Sequence, residues 1–157
     1  MKEKIVDFDY IDKHRSDLGK IVCTSGGFDP IHPGHLSCIY ESSKLGNTLI
    51  VIVNGDFFLT QKKGKPFQDL LTRCKIVSYI SGVDFVVPFE SKETTVSEAL
   101  KLIKPHIFTK GGDRVLGNIP ESDICSELGI QIETGIGDPK EWSSSDFLES
   151  WGQFYAG

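Results

Sequence analysis

The side chains best suited to chemistry cluster in residues 25–36, Ser-Gly-Gly-Phe-Asp-Pro-Ile-His-Pro-Gly-His-Leu. His32 and His35 flank Pro33-Gly34 where a helix would begin, just after an apolar run, Ile21-Val22-Cys23, that reads as a strand. A helix N-terminus offers N–H groups without intrahelical acceptors and the positive end of the helix dipole, so it attracts phosphate. Imidazoles placed there can donate hydrogen bonds to charge building on a phosphoryl group. Gly26 and Gly27 permit a tight strand-to-helix turn and a close approach of ligand. Asp29, before Pro30, is a common turn residue that could also orient His32 or a metal-bound water. A second anion site is written at Ser143-Ser144-Ser145-Asp146, where hydroxyls and N–H groups open the last helical pattern.

These residues need a scaffold, and the hydrophobic pattern supplies one. Strands are expected at 20–25, 48–53, 83–89, 106–109 and 130–133. Helices are expected at 34–46, 67–81, 94–103, 120–128 and 144–155, between and after the strands. The run Thr48 to Val53 is almost wholly apolar, which suits a strand covered on both faces. Leu36, Ile39 and Tyr40 mark one helix face; Phe67, Leu70, Leu71, Cys74, Val77 and Ile80 mark another; Phe147, Leu148, Trp151, Phe154 and Tyr155 mark the last. The connection from Asn54 to Gly64 ends in Gln61-Lys62-Lys63-Gly64-Lys65 and reads as a basic, mobile loop. Alternating strands and helices predict an α/β, Rossmann-like, doubly wound and mainly parallel sheet of about five strands, with helices on both faces. Such sheets bind ligands beyond the carboxyl ends of their strands, at the switch point, and the histidines follow the first strand. Residues 1–19 read as an N-terminal leader segment docked on a single domain spanning 20–157.

Composition removes several alternatives. The chain has 157 residues with 39% hydrophobic and 25% charged residues, ordinary for one globular domain. Its net charge of −5 argues against general nucleic-acid binding, so an anionic ligand must be held by local groups. No apolar run approaches the ~20 residues of a membrane span, and no signal peptide opens the chain, so a cytoplasmic location is expected. Cys23, Cys38, Cys74 and Cys125 lack C-x-x-C spacing and are expected to be reduced, packed thiols. A dinucleotide-dependent oxidoreductase is disfavoured, because the first turn is not G-x-G-x-x-G.

The signature Gly27-Phe28-Asp29-x-x-His32-x-Gly34-His35 resembles that of the cytidylyltransferase-like nucleotidyltransferases. The resemblance continues through Lys44-Leu45-Gly46, Leu49-Ile50-Val51, Arg73, Val83-Asp84, Lys110-Gly111-Gly112-Asp113 and Ser143-Ser144-Ser145. It spans residues 20–150 and is strongest to the adenylyltransferase domain of ADP-heptose synthases, on the Lys-Gly-Gly-Asp element. Glycerol-3-phosphate cytidylyltransferase is a close relative. The resemblance implies transfer of a nucleoside monophosphate from a triphosphate to a phosphorylated small molecule, with pyrophosphate released. ATP and a sugar phosphate such as heptose 1-phosphate are the expected pair. CTP with glycerol 3-phosphate or a related phosphate or phosphonate is the alternative, and a non-catalytic nucleotide binder is the third reading.

The same resemblance assigns residues. His32, His35, Lys65 and Arg73 would be catalytic. Gly26, Gly27, Phe28, Asp29, Gly34, Lys62 and Lys63 would contact the nucleotide. So would Lys110, Gly111, Gly112 and Asp113, reading base and ribose, and Ser143, Ser144 and Ser145, holding the β- and γ-phosphates. Asp56 and Arg114 would meet the acceptor. Mg²⁺ would be held by phosphate oxygens, with no metal site in the protein. A homodimer is expected by resemblance. Some cytidylyltransferases carry an arginine before the final Ser/Thr cluster. Lys140 stands in that region here and lacks the bidentate fork, which favours ATP.

Overall fold

A computed structural model describes residues 3–112, 119–138 and 143–157 of the chain. Its centre is one parallel sheet of five strands in the order β3-β2-β1-β4-β5. They are β1 (Ile21–Gly26), β2 (Thr48–Asn54), β3 (Phe85–Phe89), β4 (Ile107–Gly111) and β5 (Gln131–Ile136). The chain moves outward from β1 to β3, then restarts at β4 on the other side, so the order reverses between β1 and β4. The α/β doubly wound reading therefore holds. Every residue of β2 is buried, as its unbroken apolar run requires for a central strand with both faces covered.

Alternate strand residues face two cores. Cys23, Ile50, Ile52, Val87 and Phe108 face α1 (Phe8–His14), α5 (Ser97–Ile103) and α6 (Ser122–Leu128). Val22, Val51, Val53 and Val86 face α2 (Pro33–Ser43) and α4 (Leu70–Ser78). Each such aliphatic side chain contributes ~1.5–3 kcal/mol of transfer free energy on burial. The N-terminal segment joins both cores: Ile5 bridges Val86 and packs on the second, and Ile11 of α1 is fully buried in the first. All four cysteines are free thiols.

Three expectations need correction. The connection after β2 is not a loop: it holds α3 (Asp56–Lys63). No residue before α3 supplies a side-chain cap. Glu90, at the end of β3, does so instead, accepting from the Asp56 and Phe57 N–H groups at 3.1 and 3.2 Å. The helix expected at 67–81 is α4, shorter, because Asp69 caps it through the Thr72 N–H. The expected apolar stripes hold in part: Ile39, Cys74 and Val77 are buried and Leu70 and Ile80 pack beside them, while Leu36, Tyr40, Phe67 and Leu71 are exposed. In the last helix, α7 (Ser144–Ala156), Trp151, Phe154 and Tyr155 are likewise exposed.

Candidate active site

A cleft of about 650 Å³ opens at the carboxyl ends of β1 and β4, where the strand order reverses. The position is the one expected for a ligand site in a doubly wound sheet. His32, Gly34 and His35 line it from α2, Lys62 and Lys63 from α3, Ser143, Ser144 and Ser145 from α7, and Gly111 and Gly112 from the end of β4.

The histidines are locked by each other. His32 is the N-cap of α2, and its Nδ1 accepts from the N–H groups of Gly34 and His35 at 3.1 and 3.4 Å. The Nδ1 of His35 accepts in return from the His32 N–H at 3.2 Å. A neutral ring accepting at Nδ1 carries its proton at Nε2, so the cap fixes both tautomers as Nε2–H donors. The rings stack with centroids 3.7 Å apart. Phe28 meets His35 edge-on at 5.1 Å, and Phe147 of α7 meets His32 at 6.1 Å. Burial, then the neighbouring His32, Lys62 and Lys63, push the pKa of His35 down to about 3. His35 therefore stays neutral throughout the ordinary pH range.

The signature turn is a packed object. Phe28 adopts a positive φ of 54° and is buried. Its ring lies over Gly26, where a Cβ would come within 3.0 Å of it; a Cβ on Gly27 would come within 2.7 Å of Leu59. The need for these glycines thus arises inside the protein, and Gly26 does not line the cleft. Asp29 is buried and spends its carboxylate inward. It accepts from the Phe67 and Gln68 N–H groups at 2.7 and 2.8 Å and pairs with Lys63 at 3.2 Å. Lys63 also donates to the Asp29 carbonyl.

Arg73 differs most from expectation. Its side chain is fully buried. Its guanidinium donates to the carbonyls of Gln68 at 2.8 Å, Gly27 at 3.0 Å and Asn54, and to the Asp56 carboxylate at 2.6 Å. It does not line the cleft. Four contacts engage most of its five donors, so Arg73 braces the signature turn against the end of β2 and cannot also reach a reacting phosphate. Asp56 is committed to that brace and to the first turn of α3, not to the cleft.

Lys65 lines a separate, smaller cleft of about 430 Å³ with Lys63, Phe67, Ser145, Leu148 and Glu149. Lys110 pairs with buried Glu121 at 3.7 Å and lies over the Phe108 ring at 5.1 Å, so its amine joins the α5–α6 side of the sheet. Ser143 caps α7 through the Asp146 N–H at 3.3 Å, and Ser144 donates to the Pro30 carbonyl at 2.6 Å, tying α7 to the signature turn. Asp113 and Arg114 lie outside the described residues, as does Lys140. Sequence reasoning missed Thr24, Ser25, Cys38, Leu59 and Asp138 in the cleft wall. Thr24 and Ser25 were discoverable, since they end the strand whose tip was chosen as the site. Cys38 falls one turn after His35, and burial holds its thiol pKa above the ordinary value.

A parallel sheet with a cleft at its switch point, and a reciprocally capped histidine pair at a helix N-terminus, define a nucleotide-binding α/β domain built for phosphoryl chemistry. Residues 23–132 match the cytidylyltransferase-like family model, and the chain belongs to that family of nucleotidyltransferases. It is 38% identical over 136 residues to the bifunctional protein HldE of Desulfatibacillum aliphaticivorans, covering 83% of this chain and 26% of that protein. It is also 38% identical over 135 residues to the bifunctional protein HldE of a Nitratiruptor species, covering 82% of this chain and 29% of that protein. The chain thus spans little more than a quarter of the length of these curated relatives. The crystal structure of a lipopolysaccharide core biosynthesis protein from Thermoplasma volcanium superposes with a TM-score of 0.61 at 28% identity, covering 74% of this chain and 93% of the other. A pantoate-beta-alanine ligase from Francisella tularensis superposes with a TM-score of 0.65 at 15% identity, covering 99% of this chain and 79% of the other; it shares the fold. Among the described residues, no helix is long and apolar enough to cross a membrane.

Proposed function

We propose that the chain transfers a nucleoside monophosphate from ATP to a phosphorylated sugar of the heptose 1-phosphate class, releasing pyrophosphate. The observation that carries this reading is the reciprocal cap, which makes both histidines neutral Nε2–H donors in a cleft also lined by lysines and serines. A phosphate oxygen of the acceptor attacks the α-phosphorus in line, and no covalent enzyme intermediate is needed. Catalysis is then positioning and charge stabilisation. His32 and His35 donate to the α- and β-phosphate oxygens. Ser143, Ser144 and Ser145, with Lys62, receive the β- and γ-phosphates, and Gly111 and Gly112 leave room for the nucleoside.

The lysines, histidines and serines of the cleft suit phosphate oxygens, so a Mg²⁺ would ride on the triphosphate, where it would supply charge neutralisation. The sugar acceptor and the preference for ATP rest on the likeness to ADP-heptose synthases. A cytoplasmic homodimer without a nucleic-acid partner belongs to the same reading.

The test is pyrophosphate release with Mg²⁺, crossing ATP, CTP and GTP with heptose 1-phosphate, glycerol 3-phosphate and other phosphorylated acceptors. Release with ATP and a sugar phosphate is expected. Release with CTP alone would move the chain to the cytidylyltransferase branch. Nucleotide binding without release on any acceptor would overturn the enzymatic reading.

A further inference from the structure

The two strands beneath the cleft part company at their tips. β1 runs on to Gly26 beside β2, but its ladder with β4 ends at Thr24 and Thr109. On the other edge of β4, the pairing with β5 shifts register between Thr109 and Gly111. Lys110 therefore sits where β4 has left β1 and slipped against β5, immediately before the glycines that line the cleft. Strand alternation turns Thr109 and Gly111 toward α2. There Thr109 bonds Ser42 at 2.8 Å, and a Cβ on Gly111 would come within 3.2 Å of the Cys38 sulfur. Lys110 turns the other way, with Phe108, toward α5 and α6.

We propose that Lys110 and Glu121 are positioning residues, whose ion pair pins the splayed tip of β4 and so fixes Gly111 and Gly112 in the cleft wall. The inference rests on the nucleotidyl-transfer reading.

Glu121 is 3% exposed, and its two oxygens play different parts. Oε2 accepts from the Val96 N–H at 3.0 Å, which ties the start of α6 to the start of α5. Oε1 has no hydrogen-bond partner among the described residues, and the Lys110 ammonium faces it at 3.7 Å. A buried carboxylate oxygen without a hydrogen bond is costly, and a facing cation offsets that cost. The Phe108 ring, 5.1 Å from the same ammonium, adds a second attraction on that side of the sheet. Gly111 and Gly112 have no side chains to hold their own place, and Gly112 turns the chain with a φ of 70°. Their position is inherited from the residue before them. Lys110 does not line the cleft, so it acts through those glycines. A shift on the order of 1 Å in a wall that positions a substrate is enough to cost function.

The test is a double-mutant cycle read by titration calorimetry of the full chain with ATP and Mg²⁺, well below the unfolding midpoint; CTP replaces ATP if it binds more tightly. Glu121→Gln keeps an acceptor for the Val96 N–H and removes the charge facing Lys110. It is expected to weaken ATP about tenfold in a protein that stays folded. Lys110→Met should weaken ATP as much, and the double variant should lie within about twofold of either single. Should Lys110→Met fail to fold, because it strands the Glu121 charge, Glu121→Gln and the double variant decide the question, and both should weaken ATP about tenfold. Lys101→Gln, from an exposed pair on α5, controls for net charge and should leave ATP unmoved. A Lys110 that touched the nucleotide directly would be released by Glu121→Gln, so unchanged or tighter ATP in that variant would overturn the proposal. Losses that multiply in the double variant would overturn it as well. A lowered unfolding midpoint with ATP held within about twofold of the parent would make the pair purely structural and sink the positioning role alone. A parent chain that binds neither ATP nor CTP would bring down the transfer reading, and this inference with it.

Discussion

The histidine pair and the Arg73–Asp29 brace meet at one strand-to-helix turn, and they use their polar atoms in opposite ways. His32 and His35 satisfy each other's backbone through Nδ1 and keep their rings in the cleft wall. Arg73 and Asp29 turn inward and spend their groups on backbone carbonyls, backbone N–H groups and ion pairs. Residue type does not separate the two clusters, since all four side chains are suited to phosphate chemistry or its support. The partner list separates them. A nucleotide cleft needs donors held still, and this chain holds them with a second set of charged groups whose polar atoms are turned inward, Arg73 away from the cleft and Asp29 at its wall.

The comparison breaks first at Arg73. Arg73→Ala strands the carbonyls of Gly27 and Asn54 inside the fold and removes the partner of Asp56. A stability loss of about 3–5 kcal/mol is expected, as for truncation of one partner in a buried charged network. Chemical denaturation measures it. A stable Arg73→Ala protein with a collapsed kcat would return Arg73 to the reacting groups.

His35→Asn sharpens the other half. The Asn carbonyl can still accept from the His32 N–H, so the cap survives while the Nε2–H donor is lost. kcat should fall by ~10²-fold or more, as for loss of a transition-state donor, with little change in unfolding midpoint. Near-normal turnover would remove the histidine pair from catalysis. The pH dependence gives an independent check. The pKa of His35 is lowered by burial to about 3 in the folded chain, against an ordinary value of 6.5. The unfolded state therefore binds more protons between those values, so His35 makes stability fall as pH drops through that window, by at most ~1.4 kcal/mol per pH unit. Above pH 6.5 it contributes no slope. His35→Asn should flatten the stability profile between about pH 6 and pH 4, and an equally steep profile would show that His35 titrates normally.

The histidine cluster is legible in the sequence because its partners are local: cap, acceptor and ring all fall within three residues. The sheet is legible for a related reason, since a fully buried central strand must be an apolar run. Arg73 is legible as important but not in its role, because Gly27, Asn54 and Asp56 lie 46, 19 and 17 residues away along the chain. The helix α3 escapes notice on the same ground. Its cap is Glu90, 34 residues from Asp56, so the segment carries no start signal of its own. The apolar stripe holds at Leu70, Cys74, Val77 and Ile80, but Phe67 and Leu71 stay exposed and Arg73, outside the stripe, turns in. Buried guanidinium in a helix is too rare for periodicity to anticipate.

Ser144 sits between the two clusters, since its hydroxyl holds the Pro30 carbonyl while its residue lines the cleft. Ser144→Ala should weaken ATP about fivefold and leave AMP nearly unchanged, the cost of one hydrogen bond near the far phosphates. Equal losses for both nucleotides would assign the serine to the brace, acting on the whole turn.

The smallest expected effect lies farthest from the chemistry. Glu90 accepts from two N–H groups of α3, and a Cβ on Gly55 would come within 2.3 Å of that carboxylate, so the carboxylate is seated directly over the helix start. Leu59 and Lys63 of the same helix touch the signature turn. Glu90→Gln keeps one good acceptor and loses the charge that complements the helix dipole. A stability loss of about 1 kcal/mol is expected, the usual size of a cap. Because α3 carries Lys62 and Lys63 into the cleft, the same variant should raise the KM for ATP more than it lowers kcat. A drop in kcat with KM unmoved would mean that α3 reaches the reacting phosphate directly, and the division between donors that act and groups that brace would have to be redrawn around the helix.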